Sequence, residues 1–392
     1  MLIKKILNVR IRDIVLAIII IFACSPVVSI SLFDDSIIRV WVTRVSYAVV
    51  LIYSIVTIRH VPISTVCSIA YGIMLLISST INQTNLVEAL SVVYPLIGIT
   101  LLVECGISKF KGDFIVLLQR ILFYEVLITL ILFPVSDELF GDGTYFIGGE
   151  NRIVFPTIAA FTLTIVRYSL NRCSKIYVGF TYVICTVLTV LNFSGGSIVG
   201  WVAYSTILLL LINIRKLSDF LTILKSYVAY VLLWVGLVLF RIQSHFSYLI
   251  EVVLGKSLTL TRRTDIWDLV IRNLDGHYLF GYGPQQTVNL FTISGQYESG
   301  KNYTLTLSSH NFLLQTIYTG GILSLVPLAA CIAISSFRLS KIDDTILKAS
   351  MVSWIVGISV VMLVEAVGVA HLLFPLGVVN GLYIWLGKPT RR

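Results

Sequence analysis

The sequence predicts an all-α, polytopic integral membrane protein, and three observations carry that expectation. Of 392 residues, 57% are hydrophobic and only 12% are charged, about half the charged share of a soluble domain. Mean hydropathy is +0.93. The apolar residues fall in repeated runs of about 20, the length that crosses a hydrocarbon core as a helix. Length alone suits two or three soluble domains; the runs replace that reading with a single polytopic membrane domain over residues 1–392.

The runs lie near 14–33, 40–58, 63–81, 86–105, 114–134, 153–170, 176–192, 197–214, 226–243, 312–336, 349–367 and 372–387, about 12 transmembrane helices in all. The stretch MLIKKILNVRIRD before Ile14 has the shape of a signal sequence, but so many spans follow that a retained first helix is expected. IFAC at Ile21–Cys24 faintly resembles a lipoprotein cleavage site, and the bulky Phe22 argues against it.

Charge sets the expected orientation. Lys4, Lys5, Arg10 and Arg12, then Lys109 and Lys111, Arg172 and Lys175, Arg215 and Lys216, and Arg338 and Lys341 fall on alternate connections. Asp34, Asp35, Asp137, Glu138, Asp142 and Glu150 fall on the others. The positive-inside rule then places both termini in the cytoplasm. A net charge of +9 made of such short clusters is a topology signal, and no basic stripe interleaved with aromatics suggests nucleic acid. The six cysteines stand singly in or beside apolar runs with no CxxC pair, so neither a disulfide framework nor a zinc site is expected.

One connection departs from the short ones. Residues 244–311 form a large extracytoplasmic loop between spans 9 and 10, rich in arginine and in aromatics such as Trp267, Tyr278 and Phe291. Loops this long are functional or disordered, and the aromatics argue against disorder. Within it, Ile266, Leu269, Val270, Asn273 and Leu274 recur at helical spacing. Thr264 is the expected N-cap, and Asp275-Gly276 the turn that ends the helix. Arg262, Asp265, Asp268 and Arg272 make its polar face, either a solvated surface or, with Arg263, an anion site, since a guanidinium fork matches two phosphate oxygens. Gly281-Tyr282-Gly283 reads as a tight turn or a close backbone approach, and His277 before it as a satisfied loop histidine or a catalytic one.

Three further polar places stand at the same level. Gly149-Glu150-Asn151-Arg152 puts both charge signs at a span boundary, as an interfacial anchor or as groups aimed into a cavity shared with the long loop. Asn192–Ser197 (NFSGGS) is by itself only a turn. His310 and Asn311 stand where the tenth run begins, as helix caps or as the working end. Inside the runs, Glu88 and Glu125 are candidates for a buried polar path.

The order Arg-x3-Trp (Arg263–Trp267), His-Tyr-Leu-Phe-Gly-Tyr-Gly (His277–Gly283) and His-Asn-x9-Gly (His310, Asn311, Gly321) resembles the O-antigen polymerase and ligase family of bacterial surface-polysaccharide assembly, the Wzy-type polymerases among them. Glu150-Asn151-Arg152, the span count and the single large loop agree with it. Two places depart from the ligase pattern: Ser324 after the glycine, and Ser194-Gly195-Gly196 where an arginine often stands.

The resemblance implies a repeat-unit polymerase in the bacterial cytoplasmic membrane. It would transfer undecaprenyl-pyrophosphate-linked glycan of O-antigen or capsule type onto a sugar hydroxyl of the next lipid-linked unit, without metal or cofactor. The partners implied are the lipid-linked oligosaccharide, the bilayer, a chain-length regulator and a flippase, with no nucleic acid. It implies a catalytic His310 as base and Arg263 at the pyrophosphate. Arg152, Arg262, Glu150, Trp267, His277 and Asn311 would bind substrate, with Trp267 facing a sugar ring or packing on the membrane surface. A ligase differs only in its acceptor. A flippase of lipid-linked sugars is the reading from another class, though transporters build sites at the midplane from broken helices.

Overall fold

The computed structural model describes residues 11–28, 30–31, 37–57, 61–246, 263–284, 291–296 and 302–387. Helices form in each apolar run. The first nine are α1 (Ile11–Ala23), α2 (Ile37–Thr57), α3 (Ile63–Ile81), α4 (Leu86–Phe110), α5 (Gly112–Leu132), α6 (Val154–Ser169), α7 (Lys175–Leu191), α8 (Gly195–Asn213) and α9 (Ile223–Trp234). The long connection holds α10 (Arg263–Asn273), followed by α11 (Phe312–Gly320), α12 (Leu325–Ser340), α13 (Thr345–Met362) and α14 (Ala370–Leu386). Among the described residues, seven helices are long and apolar enough to cross a membrane.

Local chemistry sets where the helices begin. Asn85, Ser174 and Asp344 accept hydrogen bonds from the backbone N–H groups of Val87, Tyr177 and Leu347, and so cap α4, α7 and α13. Burial sorts the bundle into inner and outer helices. Most residues of α6, α13 and α14 are buried, with α13 packed between α6 and α8, and α14 against α4. α2, α7 and α8 instead expose large apolar side chains such as Ile52, Ile176 and Leu209, the pattern of helices that face lipid.

Buried polar groups in the bundle are joined in networks, as a low-dielectric interior demands. Glu104 accepts from the backbone N–H groups of Ile63 and Ser64 at 3.0 and 2.9 Å and pairs with Arg338 at 3.5 Å. Arg338 donates to Asn380 Oδ1, whose amide donates to Ser64 and Ser335. This cluster ties α3, α4, α12 and α14 together at the end of the bundle away from the long connection. Glu125 is buried with one carboxylate oxygen unpartnered, while Glu88 sits half-buried in the first turn of α4.

The structure corrects three expectations. The first run stops being helical at Ala23, where turns carry the chain through Pro26 to Val28. The tenth run is broken: Gly321, at φ 71°, ends the nine-residue α11, and a new apolar helical stretch runs over Ile322–Ser340. The helix of the long connection begins at Arg263, so Thr264 lies inside its first turn rather than at the cap. The all-helical plan holds, with two antiparallel hairpins in the connections among the described residues: β1 (Thr144–Tyr145) with β2 (Gly148–Gly149), and β3 (Phe291–Gln296) with β4 (Asn302–Leu307).

Candidate functional site

The site is assembled at one end of the bundle, from the long connection, the β1–β2 corner, the α7–α8 turn and the link between α13 and α14. α10 decides which of its residues face inward. Arg263, Trp267, Val270 and Leu274 share a face at helical spacing, and the last three are fully buried. Trp267 Nε1–H donates to the Ser309 carbonyl at 3.0 Å, and the Arg241 guanidinium lies over its ring at 5.5 Å. Arg241 also donates to the Thr264 carbonyl at 3.0 Å and to Asp268. A residue that had no assigned role in the sequence thus pins α10 to the end of the ninth helix.

The His-Asn pair divides its labour. Asn311 is fully buried and uses its whole amide. Its Oδ1 accepts from Leu314 N at 3.0 Å and Trp234 Nε1 at 2.7 Å, and its Nδ2 donates to the Leu363 carbonyl at 2.8 Å. It therefore caps α11 and ties it to the end of α13. Ser309, on the other side, donates to Gln315 and to the Asn311 carbonyl. Between these two buried residues His310 takes φ 44°. The left-handed region costs a non-glycine residue on the order of 1–3 kcal/mol and marks functional positions. The neighbours on both sides hold it there, and the imidazole points into a cavity.

Gly281 and Gly321 explain the glycine-rich parts of the pattern. Tyr282 N donates to the Tyr318 carbonyl at 2.7 Å and Gly283 N to the Thr319 carbonyl at 2.9 Å. A Cβ on Gly321 would lie 2.0 Å from the Leu279 carbonyl oxygen, and one on Gly281 2.5 Å from that of Tyr318. Two backbones meet directly, which only glycine permits. The GYG turn is a clamp on the C-terminal end of α11.

The cavity has a volume of about 340 Å³ and is lined by Gly143, Glu150, Arg152, Ser308, His310 and Glu365, among others. Glu365, on the link between α13 and α14, is its central buried charge. Arg263 Nη2 donates to one of its oxygens at 2.6 Å. The other oxygen stands 3.7 Å from His310 Nδ1, which is buried and has no hydrogen-bond partner. Arg263 is not in the cavity wall; it reaches the cavity through Glu365.

Arg152 and Glu150 come from a single 3-10 turn braced on both sides. The Glu150 carbonyl accepts from Asn192 Nδ2 at 2.5 Å and from Ser197, while Ser194 donates to Asn151 Oδ1 at 2.7 Å. The NFSGGS turn is therefore a cradle for this corner. Ser31 binds the β1–β2 corner from the far side, through the carbonyls of Tyr145 and Phe146.

Of the residues singled out in the sequence, the cavity brings together Arg152, Glu150 and His310, with Arg263 one contact behind. Trp267 faces neither a sugar nor the membrane surface, because its ring is sealed under α10. His277 stacks on Tyr282 at 4.2 Å, which stacks on Tyr318 at 4.8 Å, so it belongs to the GYG clamp rather than to the cavity wall. Asn311 is committed to protein contacts. Arg262 lies outside the described residues. Glu365 was missed in the sequence because it closes an apolar run; its only signal there is a lone acidic residue at a span boundary.

A carboxylate beside an imidazole, with an arginine fixing the carboxylate and a second arginine in the wall, can take a proton and bind an anion at one place. Fold and site together define a polytopic membrane protein with a cavity lined by ionisable side chains at one end of its helix bundle. Residues 180–329 match the family model described as O-antigen ligase. This match covers α8 to α11 and the whole long connection, and agrees with the resemblance of the sequence to the O-antigen polymerase and ligase family. No curated protein and no solved structure matches the chain.

Proposed function

We propose that the protein polymerises lipid-linked repeat units at the outer face of the bacterial cytoplasmic membrane. The observation that carries the reading is the shared cavity: His310, Glu365 and Arg152 line one space, with Arg263 holding Glu365. In the reaction, an acceptor sugar hydroxyl gives its proton to the His310 Nε2. Its oxygen bonds to the anomeric carbon of the donor glycan as the bond from that carbon to the phosphate oxygen breaks. The diphosphate leaves on its polyprenyl carrier with the bonding electrons. Arg152 stabilises the departing charge, and Glu365 stabilises the imidazolium that forms, as a buried carboxylate does for a catalytic histidine.

Arg263 takes a supporting part in this scheme, since its guanidinium is engaged with Glu365 and lies behind the wall. Asn311 and Trp267 fix the strained backbone of His310 through Leu363 and Ser309. Glycan length on gels from cells carrying His310→Ala tests the reading. A polymerase variant leaves single repeat units, whereas a ligase variant leaves long chains on the lipid carrier. Chains of ordinary length in that variant would refute the site.

A further inference from the structure

The cavity carries more polar groups than the transfer step uses. Glu150, Asn151 and Ser308 line the same space as His310, yet none of them takes the proton or meets the diphosphate. Glu150 is fixed through its main chain alone. Its N–H donates to the Gly143 carbonyl at 3.0 Å, and its carbonyl accepts from Asn192 and Ser197. Its carboxylate is exposed and has no hydrogen bond or ion pair among the described residues. The Asn151 Oδ1 is taken by the Ser194 hydroxyl at 2.7 Å, which fixes the amide and leaves its Nδ2 without a partner among the described residues. Ser308 stands beside the buried Ser309, with His310 on the other side.

These free groups are chemically complementary. An ionised carboxylate only accepts hydrogen bonds, an amide NH2 only donates them, and a serine hydroxyl does either. Two adjacent sugar hydroxyls meet that set, because a hydroxyl gives its proton to the carboxylate while its oxygen accepts from the amide or the serine. A sugar that carries a carboxylate does not. It would set a second negative charge beside Glu150, and the arginine of the wall, Arg152, is given to the diphosphate; like charges brought together count against a partner. There is room for a ring, since Gly143 and Gly149 line the space without side chains. A Cβ on Gly143 would stand 3.9 Å from the Glu150 Oε2, so glycine leaves that carboxylate open. A volume of about 340 Å³ is at the low end for ligand pockets, suited to a terminal sugar rather than a whole repeat unit.

We propose that Glu150, Asn151 and Ser308 form the subsite for the acceptor's terminal sugar, and that they select a neutral sugar with adjacent hydroxyls over a uronic acid. The proposal rests on the function reading above and adds to it which sugars can accept. A ring held by these three groups presents a further hydroxyl to His310, two residues along from Ser308.

The test reads sugar binding apart from turnover, by saturation-transfer NMR on the full chain in nanodiscs. The probes are methyl glucoside against methyl glucuronide, and methyl galactoside against methyl galacturonide. In at least one pair the neutral member should bind about tenfold more tightly than the acid. Glu150→Gln keeps the volume and an acceptor but removes the charge, and should bring the two members to within about twofold of each other. Asn151→Ala should weaken the neutral sugar about fivefold, the value of one neutral hydrogen bond. Melting temperature and gel filtration confirm that both variants fold. Binding of neither member of either pair, equal binding of neutral and acid members, or a preference unchanged by Glu150→Gln would overturn the proposal and leave Glu150 a solvated carboxylate at the rim. His310→Ala separates the two readings. Single repeat units in cells, with the neutral sugar still preferred by the purified variant, support both. Single repeat units with no preference remove only this one. Chains of ordinary length in His310→Ala remove the function reading, and with it the acceptor role of the subsite, whatever the NMR shows.

Discussion

Replacing Glu365 by glutamine removes one negative charge and almost no volume. The amide oxygen can still accept from Arg263, so the fold should survive. The loss falls on His310, whose Nδ1 lies 3.7 Å from the second carboxylate oxygen. In the transition state the imidazole gains a positive charge. Two unit charges 3.7 Å apart attract by about 4.5 kcal/mol at an effective dielectric constant of about 20. The His310 side chain is 36% exposed, and water in the cavity screens the pair, so about 2 kcal/mol is a fair working value. That corresponds to about a thirtyfold fall in kcat. KM for the lipid-linked donor should change little, because in the proposed reaction Arg152 rather than Glu365 meets the diphosphate. The assay is single-turnover transfer by purified protein in nanodiscs, with the product ladder resolved on gels. A kcat within twofold of the parent, or a loss confined to KM, would show that Glu365 does not assist His310.

Four further outcomes follow from the same geometry. Arg152→Ala should raise KM for the polyprenyl-diphosphate donor by about tenfold or more and Arg152→Lys by less, read in the same transfer assay. Asn311→Ala should cost about 3 kcal/mol of stability, from a lost cap and from the Trp234 N–H and Leu363 carbonyl left unpaired, visible as a lower melting temperature. Trp267→Phe keeps the ring but removes the bond to Ser309; it should cost about 1 kcal/mol and slow transfer through His310 while KM stays. Gly321→Ala should prevent folding, since its Cβ would lie 2.0 Å from a carbonyl oxygen. Gly276→Ala, at φ 78° with open space around it, should cost only about 1 kcal/mol. Expression and gel filtration compare the two.

How legible the protein was varies from residue to residue. The helices of the bundle could be read because hydrophobic run length is a local property. The α10 helix was legible for the same reason, since Ile266, Val270 and Leu274 repeat at its period. The break at Gly321 was not. An apolar run continues through it, and the break exists because the distant Leu279–Gly283 turn docks there. The stretches His277–Gly283 and His310–Gly321 could be singled out as patterns, yet their connection by direct backbone contact is a fact of three dimensions.

His310 and Asn311 show the division most clearly. Sequence alone determined that a histidine and a capping residue stand at the start of an apolar helix, beside a long loop rich in arginine and aromatics. Run length, charge distribution and capping chemistry are properties of neighbours along the chain. Only the tertiary structure decided that Asn311 turns inward to serve the fold while His310 turns toward the cavity. It also chose the partners: Glu365 comes from 55 residues further on, and Arg152 from a turn braced by Asn192 and Ser194. No spacing rule links such positions. They meet because buried charges in an apolar bundle are stable only when paired, and the packing of α13 and α14 brings Glu365 to where Arg263 and His310 can pair with it.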